Sequence, residues 1–332
     1  MPALSSDPPD QRGDGAAGPV ELARLAKATA LAEGATLAGV ADPRRPVLHA
    51  DQVRDWTRRG RHGPMAWWPR GDAARLDPRL LLPSARSLLM VAVAYDGRVP
   101  LPAPPAPRVS RYALGRDYHR VLKGLLRRVV QRLEERLGPL VWRACVDTAP
   151  LLERYWAWQA GLGWIGKNCL LIHPRRGSWL FLGGLLLDLE LAADEPHAER
   201  CGRCTACLET CPTASFVAPG VLDAGRCISA QTIENRRDHL PPEFQAMPGA
   251  WLFGCDECQT ACPWNRKAGR GSPVLAPDPA LLARLERRDW PEDDGAWDLV
   301  TRGKALRRMT PAMYRRNLAA CGVQPSTTNG HE

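Results

Sequence analysis

Eight of the eleven cysteines lie between Cys201 and Cys262, in two phased groups. The first, CGRCTACLETCP, sets Cys201, Cys204, Cys207 and Cys211 at CxxCxxCxxxC spacing, with Pro212 directly after the last. Gaps of two residues let neighbouring thiolates wrap one face of a cubane, and bacterial ferredoxins use this run for [4Fe-4S] clusters. The second group repeats the run with its first ligand displaced: Cys227 stands alone, and CDECQTACP supplies Cys255, Cys258 and Cys262 before Pro263. In two-cluster runs the fourth cysteine crosses to the other cluster. The spacing therefore predicts one cluster on Cys201, Cys204, Cys207 and Cys262 and a second on Cys211, Cys227, Cys255 and Cys258. Zinc is the competing reading of CxxC pairs. A four-ligand zinc site, however, needs neither a third cysteine two residues on nor a proline after each terminal cysteine. Two adjacent clusters conduct single electrons, so other residues must decide what those electrons do.

The 332 residues suffice for two or three domains, and a hydrophobic content of 45% suffices for a real core. Cysteines gathered at metal spacing, rather than spread through a short chain, argue against a secreted disulfide scaffold and for a reducing cytoplasm. Asp7, Asp10 and Asp14 stand near the N-terminus without the basic head or apolar run of a signal peptide. The apolar stretches at 88–94 and 179–187 are far shorter than the roughly 20 residues of a bilayer crossing. A net charge of +9 points to an anionic partner. It is concentrated at 108–143, with ten Lys or Arg against three acids, and at 302–316, with six and no acid. Solvated helix faces would give the same pattern.

Residues 1–18, rich in Pro, Gly, Ser and Asp, are expected to be disordered. A helix is expected over 20–32, ended by Gly34, then a short strand over 36–41 and a continuous apolar strand over 87–95. The basic, aromatic stretch WTRRGRHGPMAWWPR at 56–70 reads as a lid over a large flat ligand or as packed surface tryptophans. A proline-rich linker occupies 99–107. Leu122, Leu125, Leu126, Val129, Val130, Leu133 and Leu137 trace one stripe of a helix over 117–137. A strand over 140–146 ends at Asp147 and a helix follows over 150–160, so on residues alone Asp147 or Thr148 reads as an N-cap ahead of Pro150. GLGWIG (Gly161, Gly163, Gly166) matches GxGxxG. The order helix, glycines, strand reverses the dinucleotide fingerprint and excludes a Rossmann site. Those glycines are expected to serve a tight turn or a close approach to a bulky planar ligand. Strands over 169–172 and 179–182 would flank HPRRGS as a hairpin, with a further strand over 184–191. Helices over 281–285 and 305–321 close the chain.

RYALGRDYH at 111–119, DTAPLLER at 147–154, GLGWIGKN at 161–168, the cysteine cassette, RCIS at 226–229 and RGKALRRMTPAMYRRN at 302–317 together resemble the epoxyqueuosine reductase family. The match is strong over 108–265 and weaker before it. That family is similar in its core to cobalamin-dependent reductive dehalogenases. The resemblance implies reduction of epoxyqueuosine to queuosine at the wobble position of a tRNA anticodon, the final step of queuosine biosynthesis, by cobalamin fed through two [4Fe-4S] clusters. Removing an epoxide oxygen takes two electrons and two protons, whereas a cubane passes one electron at a time, so a two-electron store such as cobalamin is required.

The implied architecture is α+β: a mixed-sheet, nitroreductase-like cobalamin-binding core, an inserted ferredoxin-like two-cluster domain and a short helical C-terminal segment. The parts would run 1–18 (disordered), 19–98 (N-terminal α/β part), 99–107 (linker), 108–192 (cobalamin-binding core), 193–270 (cluster domain) and 271–332. The resemblance makes Asp147 the proton donor, kept protonated by burial against the corrin and nearby tryptophans. Beside it, Arg70, Arg154, Lys167, Asn168, Leu171 and Ser229 are expected with Asp147 around cobalamin, and Tyr118, His119, Lys304, Arg307 and Arg308 toward substrate or tRNA. Ser110 stands where some members have cysteine, so the chemistry needs no thiol there. The implied partners are tRNA and a low-potential ferredoxin or flavodoxin, with no membrane, for a monomer in the cytoplasm. Three rival readings remain. A ferredoxin-like carrier needs no large α/β domain ahead of its clusters. A reductive dehalogenase usually carries a twin-arginine signal, and Arg44 and Arg45 lack the following apolar run. The third is an RNA-binding protein with structural clusters.

Overall fold

The computed structural model describes residues 17–291 and 293–323. The disorder expected for residues 1–18 falls outside them apart from residues 17 and 18. Helix α1 (Pro19–Ala32) buries Ala23, Ala26 and Ala30, small side chains at helical spacing that let it lie close on a sheet. Strand β1 (Leu37–Ala41), short helices α2 (Ala50–Arg58) and α3 (Asp72–Leu76), and strand β2 (Ser87–Ala94) follow. Next come β3 (Arg108–Val109), α4 (Tyr118–Leu137), β4 (Trp142–Cys145), α5 (Glu153–Gln159), β5 (Trp164–Ile165), β6 (Leu171–Ile172) and β7 (Leu180–Leu187).

Four strands make the main sheet in the order β1-β2-β7-β4, and every pair in it is antiparallel. The mixed sheet expected from the sequence is therefore corrected. Alternating burial marks a strand in either direction, and only the connections decide which way it runs. In β2, Leu89, Val91 and Val93 pack toward α1 and α4, while Leu88, Met90 and Ala92 pack toward Trp156 and Ala157 of α5. Cover on both faces explains its unbroken apolar run. The α4 stripe, from Leu122 to Leu133, is buried on this sheet, each leucine contributing about 1.5–3 kcal/mol. Residues 19–98 and 108–192, expected as separate parts, thus share one sheet and one core.

The strands expected over 179–182 and 184–191 are one strand, β7, running through Gly183 and Gly184. Leu122 and Met90 approach there so closely that Cβ atoms would meet them at 3.3 and 3.0 Å, so these glycines make room and do not break the strand. Across HPRRGS the expected hairpin is reduced to a single bridge, His173 to Gly177, and β6 pairs with β5 instead.

The cysteine-rich region is built on short elements: α6 (Ala206–Glu209), β8 (Phe216–Ala218), β9 (Val221–Leu222), α7 (Ile228–Ile233), β10 (Trp251–Phe253) and α8 (Glu257–Thr260). Parallel pairing of β10 with β3 ties this region to the core. Trp251, Leu252 and Phe253 also pack with α9 (Pro279–Arg287), α10 (Asp294–Thr301) and α11 (Pro311–Ala320) in a second hydrophobic core. The helix expected over 305–321 is split. A 3-10 turn covers Ala305–Arg308, then Thr310 caps α11 by accepting from the Met313 amide at 3.3 Å, with Pro311 in the first turn. Among the described residues no helix is long and apolar enough to cross a membrane.

Candidate active site

Strand β4 delivers the chain to Asp147, whose φ of 55° is left-handed, a region that Asp and Asn enter more readily than most residues. The next residues make successive tight turns: Thr148 N–H donates to Val146 O (2.6 Å), Leu151 to Ala149 (2.8 Å) and Glu153 to Leu151 (3.0 Å). Helix α5 starts only at Glu153, and its N-cap position is Leu152, without a side-chain bond. Asp147 is therefore not the cap that the local sequence suggests. Its side chain is 53% exposed.

Two neighbours hold Asp147. Its carboxylate Oδ2 lies 2.9 Å from His119 Nε2, and His119 Nδ1 lies 2.7 Å from Asp117 Oδ1. Its amide donates to Glu153 Oε1 at 2.6 Å. Beneath, the His119 ring stacks on Tyr118 (4.1 Å) and Tyr118 stacks on Phe181 (4.2 Å, 9°). Partial desolvation pushes the half-exposed Asp147 carboxyl up, but the hydrogen bonds from His119 and Tyr118 and the charges of His119 and Arg308 prevail and hold it below the usual carboxylate range. This corrects the expectation that burial keeps Asp147 protonated. The proton is on its neighbours: burial lowers His119, yet its bonds to Asp117 and Asp147 raise it to about 9. Burial raises Glu153 to about 8.

None of the eleven cysteines forms a disulfide. Cys201, Cys204, Cys207 and Cys262 line one cavity with Lys167, Asn168, Ile172, Pro263 and Trp264. The other four gather beside it: burial raises Cys255 and Cys258 and the nearby Cys227 raises both further, while Cys211 acts on Cys227. Cys207 is also among the neighbours of Cys258, so the two sets abut. Their third cysteines sit alike, Cys207 on α6 and Cys258 on α8. Trp164 Nε1–H points at Cys201 Sγ (3.5 Å) and the Ser215 amide at Cys211 Sγ (3.3 Å). Among the described residues no group of three or more His, Cys, Asp or Glu closes on a single ion. Four thiols lining one cavity suit a multi-iron cluster.

The remaining expected residues divide. Lys167 Nζ donates to the Gly202 and Cys204 carbonyls (2.7 and 3.0 Å), and buried Asn168 donates to Cys258 O at 3.3 Å. Both brace the cysteine loops through chain carbonyls. Gly163 lets this hairpin form, since a Cβ there would lie 2.3 Å from Ile172 O. Leu171 is buried in the core beneath α5. Arg154 donates to Cys169 O at 2.6 Å, Arg70 is exposed on the turn before α3, and Ser229 begins α7 beside Cys227.

Lys304 is only 13% exposed and pairs with Asp278 at 2.8 Å. Arg307 pairs with Asp298. Arg308, bound to Glu234 at 2.8 and 3.1 Å, is the member of this group whose charge reaches Asp147. Asp117 and Glu153 escaped the sequence reading as site residues although both lie inside its quoted motifs. The i, i+2 spacing of Asp117 and His119 was the available signal.

A family model described as "4Fe-4S double cluster binding domain" matches residues 200–265, and one described as "Epoxyqueuosine reductase QueG, DUF1730" matches residues 75–148. An epoxyqueuosine reductase from Synechococcus is 44% identical over 318 residues, covering 92% of this chain and 96% of the relative. One from Pseudomonas aeruginosa is 42% identical over 84% of this chain and 79% of its own. A solved epoxyqueuosine reductase with an epoxyqueuosine-modified tRNA stem loop superposes with a TM-score of 0.78 at 29% identity, over 90% of this chain and 80% of that one. The Bacillus subtilis enzyme, solved with an aspartate catalytic loop swung out of the active site, gives 0.77 at 28% identity, with the same coverage.

Proposed function

The chain belongs to the epoxyqueuosine reductase family, and from that premise we propose that it reduces epoxyqueuosine in tRNA to queuosine with Asp147 as the proton donor. The observation that carries this reading is the half-exposed Asp147 carboxylate gripped by a histidine that has its own carboxylate partner. In the reaction both C–O bonds of the epoxide break, a C=C bond forms, and the oxygen leaves as water after taking two protons. Asp147 Oδ2 takes the proton of His119 Nε2–H and passes it to the departing oxygen. Asp117 holds the His119 tautomer and stabilises its charge. Glu153 fixes the Asp147 amide and so aims the carboxyl.

Two [4Fe-4S] clusters on the two cysteine sets named above would relay electrons from a ferredoxin or flavodoxin. Cobalamin, when bound, would supply the two-electron reducing power. The fit of this chain to cobalamin rests on a buried His62 Nδ1 with no hydrogen-bond partner among the described residues. It lies in the segment whose Arg61 carbonyl accepts from Ala224 ahead of the Cys227 loop. Arg70, Arg154 and Ser229, with His62, are the groups we assign to its polar rim. The test is single-turnover conversion of a modified tRNA stem loop by the reduced, loaded enzyme; absence of the alkene product rejects the reading.

The proton arrangement predicts an alkaline limit. His119 titrates near 6.5 when free and about 9 here, so the single-turnover rate should fall as pH rises through about 9. His119→Gln should abolish that limb, while Glu153→Gln should leave it; a limb unmoved by His119→Gln assigns it elsewhere. The same shift makes the stabilisation from His119 complete below about 6.5 and lost as pH rises through about 9. Asp147, with its depressed value, contributes in the opposite sense, losing its share on acidification.

Stem-loop affinity should fall steeply with salt, because phosphate neutralisation releases counterions. Arg308→Glu should weaken it by roughly tenfold or more and Arg307→Glu less, since both are ion-paired but only the charge of Arg308 reaches Asp147. Dissociation constants across a salt series decide it, and equal effects of the two reversals would contradict the placement.

A further inference from the structure

Trp67 is a large apolar side chain left 40% exposed in a segment that otherwise packs its aromatics away. Trp56 Nε1–H donates to Leu222 O at 2.6 Å, and Trp68, edge-on to Trp56 at 5.0 Å, donates to Thr57 Oγ1 at 2.9 Å. Those two rings hold the segment down. Trp67 faces out, yet it is fixed: its Nε1–H donates to Glu234 Oε2 at 2.9 Å, and Glu234 also receives both bonds from Arg308. The guanidinium of Arg75, a side chain only 4% exposed, stands 5.6 Å from the Trp67 centroid and 4.1 Å from that of Trp68.

This platform borders the reaction site. Gly71, four residues on, lies so close to the loop after Asp147 that a Cβ there would come within 2.6 Å of Pro150 Cβ. Arg308 links Trp67, through Glu234, to the field at Asp147. A rigid, solvent-facing indole within a basic rim is the feature on which proteins stack unpaired nucleobases. Prior fixation of the ring lowers the ordering cost of binding.

We infer that Trp67, clamped by Glu234 and Arg308, is a stacking platform for the nucleobase flanking the nucleotide being reduced. The inference rests on the RNA-substrate reading above. A base held there stops the loop from pivoting and so presents the reacting ring to Asp147. Stacking of this kind carries no sequence code, because every base has a π face.

The experiment pairs Trp67→Ala and Trp67→Phe with stem-loop RNAs that are intact or abasic at either nucleotide flanking the modified one, using the holoenzyme. For the unaltered protein, one abasic position should cost roughly 5- to 100-fold in affinity. Trp67→Ala should lose a similar factor on intact RNA and be indifferent to that abasic change, while Trp67→Phe recovers most of the affinity. Cobalamin absorption spectra should be unchanged in both variants. The proposal is overturned if Trp67→Ala binds intact RNA like the unaltered protein, if it still pays the full abasic penalty, or if its defect is in cobalamin uptake. Failure of the unaltered enzyme to bind or convert any stem loop would instead remove the RNA reading, and the platform with it.

Discussion

Asp147→Asn is expected to lower single-turnover reduction of epoxyqueuosine by roughly a hundredfold or more, the usual scale for losing a general acid, while leaving the fold intact. Asn tolerates left-handed backbone about as well as Asp, and Asp147 caps no helix whose start could fray. The amide can still accept a hydrogen bond from His119, so the loop keeps its grip through His119 and Glu153. It cannot pass on a proton. The variant should bind cobalamin, both clusters and the stem loop normally, with an unchanged melting temperature. His119 should titrate below its value of about 9, because one of its two carboxylate partners has lost its charge. Near-normal rates with prereduced cofactor would return Asp147 to a structural role, and an unshifted His119 would break the proposed proton pair.

Cys258→Ser is expected to abolish turnover driven by an external one-electron donor and to leave RNA binding in place. Anoxic unaltered protein should hold roughly eight iron per chain, from two four-thiolate sites, and the variant roughly four. Cys258 is buried against Cys255 and Cys227, so the cluster lost should be the one on Cys211, Cys227, Cys255 and Cys258. Cys207→Ser should remove the other. Because Cys207 and Cys258 are also neighbours, each remaining cluster should show an altered electron paramagnetic resonance spectrum as its magnetic coupling disappears. Loss of the opposite cluster in either variant would overturn the crossed assignment, and two zinc per chain would overturn the clusters themselves.

Local sequence was a good guide wherever one short stretch carries both the residues and their geometry. Thiols two residues apart come together whatever surrounds them. The stripe from Leu122 to Leu133 repeats at the pitch of a helix, and α4 follows it with Asp117 as its cap. The ordered motifs likewise led to the family that the close relatives share. Asp147 shows the limit: next to Thr148 and Pro150 it reads as a cap, and only the tight turns from Val146 to Glu153 remove it from the helix.

What the sequence by itself determined was the set of chemical groups, the spacing of each cysteine run and the periodicity of the buried elements, because these depend on neighbours along the chain. Tertiary structure alone decided the antiparallel sheet, the protonation of the Asp147 site and the fate of each basic residue. His119 and Asp147 meet because α4 and β4 pack on the same sheet, and their opposing shifts exist only in that contact. Lys167 and Lys304 look as available as Arg308 in a linear reading. Folding ties the first to cysteine-loop carbonyls, the second to Asp278 and Arg308 to Glu234, and brings Arg308 into the field of Asp147. The reason is physical: an ionisable group takes its charge state and its partner from what lies within a few ångströms in space, and only the folded chain sets those distances.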